Sequence, residues 1–93
     1  MNLTARLEVL LKVAEQLDVE IRAEPMGGEG GGMARLKGRR VLFVDTSADL
    51  ATRYERTLAA VADLPQLESS FLPPQVREDI ERQREASSGG AHA

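Results

Sequence analysis

Apolar positions along this chain switch period three times, and each switch marks an element. From Leu3 to Leu17 the apolar residues Leu3, Leu7, Leu10, Leu11, Ala14 and Leu17 recur every three or four positions. That spacing predicts a helix, with Asn2 placed to cap it. Val9 and Val13 flank this stripe and widen it to about half the helix circumference at roughly 100° per residue. Val19 to Ala23 then alternates: Val19, Ile21 and Ala23 are apolar, while Glu20, Arg22 and the following Glu24 are charged. This is the pattern of a half-buried strand, closed by Pro25.

After a glycine-rich stretch over 27–32, the pattern predicts a hairpin. Met33–Leu36 and Arg39–Asp45 are its strands, and Lys37-Gly38 is its turn. Val41, Leu42, Phe43 and Val44 form an unbroken apolar run. Such a run predicts a central strand, and all four residues are expected in the core. Thr46-Ser47-Ala48-Asp49 has the spacing of a capping box, and the following helix is expected to reach Leu64. Its apolar face is Leu50, Ala51, Tyr54, Leu58, Val61, Ala62 and Leu64. The connection Leu64–Pro74 offers Leu67, Phe71 and Leu72 as anchors. A last helix over Gln75–Glu85 carries only Val76 and Ile80 as an apolar pair at i, i+4. Ala86–Ala93 reads as a disordered tail.

The expected architecture is therefore α+β in the order αβββαα. Residues 1–85 form one small domain, in which a three-stranded antiparallel sheet has helices packed mainly on one face. At 93 residues, 42% hydrophobic and 29% charged, the chain suits a single core.

Composition narrows the chemistry. The absence of cysteine removes disulfides and thiolate catalysis, and fits a cytoplasmic setting. The net charge of −3 and pI of about 5.1 argue against nucleic acid. No apolar run approaches the roughly 20 residues of a membrane span.

The glycine run lacks the Lys-Ser/Thr pair of a P-loop and carries Glu29, so it reads as a flexible connection or a bulged strand start rather than a phosphate cradle. Asp45 and Asp49 could ligate a metal ion in a metal-dependent enzyme, but two carboxylates are a weak signal and helix capping is the preferred explanation. Arg35, Lys37, Arg39 and Arg40 cluster on the hairpin and offer an anion contact, for nucleic acid in the alternative reading. Ser47, Ser69 and Ser70 have no histidine partner, because the sole histidine is His92 in the tail. No residue set predicts a cofactor.

The segments LEVLLKVAEQLDVEIRA, GGGMARLKGRRVLFVDTSADL and RYERTLAAVADL follow one another in an order that resembles the start of the ImmA/IrrE-type zinc metallopeptidase domain. The resemblance covers roughly Leu7 to Leu64. In that family the second helix carries H-E-x-x-H, whose two histidines hold zinc while the glutamate acts on the bound water. At those three positions this chain has Ala60, Val61 and Leu64. The resemblance thus implies a zincin-like scaffold stripped of its metal site; convergence of small αβββα folds is the alternative.

The expected function is that of a small, bacterial-type, non-enzymatic interaction or regulatory module. It would act as a homodimer or on a protein partner through Val9, Val13, Phe71, Leu72, Val76 and Ile80.

Overall fold

The structure, a computed structural model, describes residues 1–29 and 31–90, with side chains as far as Ser87. Helix α1 (Leu3–Gln16) starts where expected: the Asn2 carboxamide oxygen accepts from the Ala5 N–H at 2.8 Å. Asp18, in the left-handed region at φ 65°, turns the chain out of the helix. Leu7, Leu10, Val13 and Ala14 are its buried stripe.

Strands β1 (Glu20–Glu24), β2 (Gly31–Leu36) and β3 (Arg39–Asp45) form one sheet in the order β1-β3-β2. β2 and β3 are the expected hairpin, closed by Lys37 at φ 53° and Gly38 at φ 80°. β1, however, runs parallel to β3. The sheet is mixed, and the purely antiparallel arrangement is corrected.

The reason lies in the glycine stretch. The chain leaves β1 beside the end of β3, crosses over that end, and enters β2 on the far side. Glu24 pairs with Asp45, and Gly31 with Val44. Gly31 makes the crossing close: at φ 93°, a Cβ there would stand 2.0 Å from the Phe43 carbonyl oxygen.

Helix α2 (Leu50–Ala62) begins later than the Thr46 capping box implied. Asp49 is the cap and accepts from the Thr52 N–H at 2.8 Å. Ser47 is already engaged, because its N–H and hydroxyl both donate to Asp45. A short 3-10 turn (Leu67–Ser69) leads to α3 (Pro74–Gly90). This helix runs past Glu85 into the segment read as a tail; residues 91–93, with His92, lie outside the described residues.

The helices lie on one side of the sheet. Leu42 and Val44 of β3, with Ile21 of β1 and Met33 of β2, join the core built by α1, α2 and α3. The alternate residues of β3 face away. Val41 is buried on that second side, but Phe43 is only half-buried, so the expectation that all four apolar residues are core holds for three. The last helix is well seated through Leu67, Leu72, Val76 and Ile80, all buried. No described helix is long and apolar enough to cross a membrane.

Candidate interaction surface

Sheet geometry decides which side chains reach solvent together. In the observed register Phe43 stands beside Arg22 of β1 and Gly32 of β2, and Val41 beside Glu20 and Ala34. Paired residues share a face. The side of the sheet away from the helices therefore carries Phe43, Val41, Ala34 and Leu36, with Glu20, Arg22, Glu24 and Arg39 around them. Leu36 is 42% exposed. Glu20 accepts from Arg22 at 2.5 Å, and this bond, followed by the Arg22 charge, holds the Glu20 carboxyl below its ordinary range. An open recess near the turn is floored by Val41 and edged by Arg22, Leu36, Lys37 and Arg39.

At the opposite end of this face Asp45 is fully buried. Its carboxylate accepts from the Met26 N–H at 2.8 Å, the Gly28 N–H at 2.6 Å, the Ser47 N–H at 2.9 Å and the Ser47 hydroxyl at 2.7 Å. It holds down the crossing loop. Asp49 is engaged at its own cap, and the Thr52 hydrogen bonds keep its carboxyl below the ordinary value. Among the described residues, no group of three or more His, Cys, Asp or Glu side chains is gathered as a metal site would need.

The four hairpin cations come together at the turn. Arg35 stands opposite Arg40, and Leu36 opposite Arg39. The ion pairs found among the described residues use Arg6, Arg22, Arg82 and Arg84, and leave these four out.

The residues expected to form an association surface on the helices are placed differently. Val13, Leu72, Val76 and Ile80 are buried in this chain's own core, and Val9 is half-buried against it. Leu67, Leu72, Val76 and Ile80 share one core cluster with Val13, while Val9 also lines an open recess on α1 with Ala5, Leu11 and Lys12. Phe71 alone of the six is fully available, at 88% exposure. It does not dock; Leu67 and Leu72 on either side take that role.

One polar cluster escaped the sequence reading. Asp79 on α3 is buried, and its Oδ2 accepts from the Tyr54 hydroxyl of α2 and, at 3.2 Å, from Arg6 of α1. Its Oδ1 accepts from Arg82 at 2.6 Å. Burial alone would raise the Asp79 carboxyl; the Tyr54 hydrogen bond and the two guanidinium groups outweigh it, and the group lies below its ordinary range. Burial, then the adjacent carboxylate, pushes the Tyr54 hydroxyl well above its usual range. Asp79 ties the three helices together. The signal was its position three residues after Val76 and next to Ile80, which puts it on the apolar face.

The positions aligned with the peptidase ligands lie on the core-facing side of α2 and the turn after it: Val61 and Leu64 are buried, and Ala60 packs against the cluster. Compared with family models, with curated proteins and with solved structures, the chain matches none.

Proposed function

We propose that this chain is a small non-enzymatic interaction or regulatory module that works through protein–protein contact, made by the side of the sheet that the helices leave uncovered. The observation that carries this reading is Phe43. It sits on the central strand, yet it is half-buried, on the same face of the sheet as the exposed Leu36 near the turn, while Leu42 and Val44 on the other side are sealed. An aromatic at the centre of a sheet face, rimmed by charged residues of both signs, is the layout of a contact patch.

The carboxylates of the metal-dependent alternative support the same reading, since Asp45 and Asp49 are committed to the crossing loop and the α2 cap. In this proposal the metallopeptidase-like order is a scaffold, with α2 a core helix rather than a ligand-bearing one. The cytoplasm is the setting proposed for a chain without cysteine.

The simplest partner is a second copy, related by a two-fold axis with the uncovered faces opposed. Light scattering tests it. The wild-type protein is expected at twice the 10.1 kDa chain mass at micromolar concentration. Phe43→Glu is expected to be a monomer with an unchanged circular dichroism spectrum. A wild type that stays monomeric at high concentration, or a Phe43→Glu protein that still pairs, would overturn the homodimer.

A further inference from the structure

We infer that the free edge of β2, with the basic hairpin turn beside it, captures an extended acidic peptide segment as an added strand. This site is the main-chain edge of β2, one strand outward from Phe43; its apolar side adjoins the Phe43 face at Ala34 and Leu36, and it does not depend on the homodimer.

The first observation is the edge. β2 is the last strand in the order β1-β3-β2, and its ladder runs to β3 alone. The main-chain N–H and C=O groups of its outer side alternate along the edge, and among the described residues no strand meets them. The other edge strand is blunted: β1 carries Glu20, Arg22 and Glu24, followed by Pro25. β2 opens with Gly31, Gly32, Met33 and Ala34, which carry no charge.

The second observation is charge. The hairpin over residues 31–45 holds four cations and one acid, Asp45, which is buried at the end away from the turn. The rest of the chain has eight cations against fourteen acids. Arg35 and Arg40 stand directly opposite one another in the register, a like-charge pairing that costs stability. On the helix side of the turn, Arg35, Arg39 and Arg40 line a recess with Gln66, and Asp18 is its one carboxylate. An acidic side chain entering beside Arg35 relieves that repulsion.

These two observations select the occupant. A nucleic acid offers phosphate acceptors to the N–H groups but no donors to the C=O groups, and it is repelled by the acidic remainder of the chain. A second copy would bring two hairpins of four cations each side by side. A peptide main chain meets both N–H and C=O, and acidic side chains meet the cations. Side chains of an added strand alternate between faces. Acids therefore belong on the Arg35 side, and apolar residues on the side of Ala34 and Leu36.

The test uses a fluorescein-labelled peptide of alternating glutamate and valine, measured by fluorescence anisotropy with the full chain. Binding is expected, and Arg35→Glu combined with Arg40→Glu should weaken it at least about tenfold. Arg35→Gln, a milder change, should weaken it less. Methylating alternate peptide amide nitrogens, which removes the edge hydrogen bonds, should also weaken it about tenfold or more. Phe43→Glu should leave binding intact while it changes the mass of the protein, so the two sites fail separately. Equal binding of a lysine–valine peptide would overturn the proposal. So would full binding of the methylated peptide, or tighter binding of an oligothymidylate.

Discussion

The two sides of β3 carry the same kind of residue and do different work. Leu42 and Val44 point into the helices and are sealed. Val41 and Phe43 point the other way, where no helix lies, and Asp45 at the end of that side is buried only because the crossing loop folds over it. An unbroken apolar run thus records that a strand is central in its sheet; which face receives a layer of helices is decided elsewhere, by the apolar stripes of α1, α2 and α3. The helix side is the foundation, and the other side is roofed at one end by the crossing loop and left uncovered by helices at the other.

This contrast predicts a ranked series of substitutions. Leu42→Ala removes a fully buried side chain against the helices and should cost about 2–5 kcal/mol in chemical denaturation. Asp45→Ala deprives at least four donors of their acceptor and should cost about 1.5–3 kcal/mol, with amide exchange speeding up at Met26 and Gly28 first. Unchanged exchange there would mean that the loop is held by other contacts.

Asp79 tests how firmly the helix side is tied. Asp79→Asn should cost about 1–3 kcal/mol at neutral pH. Because the folded-state carboxyl lies below its free value near 3.8, its contribution is present above that pH and is lost as pH falls through the lower folded value. The variant should therefore lose less stability than wild type on acidification below about pH 4. Tyr54 acts at the other extreme. Its folded pKa is raised, so stability should begin to fall as pH climbs past about 10, and Tyr54→Phe should flatten that limb. Smallest is Phe43→Ala in the isolated monomer, about 1–2 kcal/mol for a half-buried ring. A loss as large as that of Leu42→Ala would erase the contrast between the two sides.

Much of the fold was legible because local signals agreed. The Asn2 cap, the three-and-four spacing of α1, the Lys37-Gly38 turn and the alternation in β1 each name their element. The parallel pairing of β1 was not legible, since nothing in VEIRA says which side of β3 it takes. Its trace was the length and glycine content of the crossing, where Gly31 permits an approach that any Cβ would block. The site was harder still. Spacing put Val13, Val76 and Ile80 on apolar faces correctly, but two surfaces that cover each other look, in sequence, like two surfaces awaiting a partner. The four hairpin cations were visible as a cluster, and only the register set Arg35 against Arg40.

The chain contains two phenylalanines, Phe43 on the uncovered sheet face and Phe71 on the connection between α2 and α3. That makes 19F NMR of protein labelled with fluorophenylalanine the most direct test of the central claim. Two resonances are expected, assigned by their loss in Phe43→Leu and Phe71→Leu. On dilution from high to low micromolar concentration the Phe43 signal should shift and the Phe71 signal should stay, as the contact over the sheet face dissociates. A Phe43 resonance that ignores concentration, in a protein that also remains monomeric, would contradict the assignment of that face as a contact surface between copies.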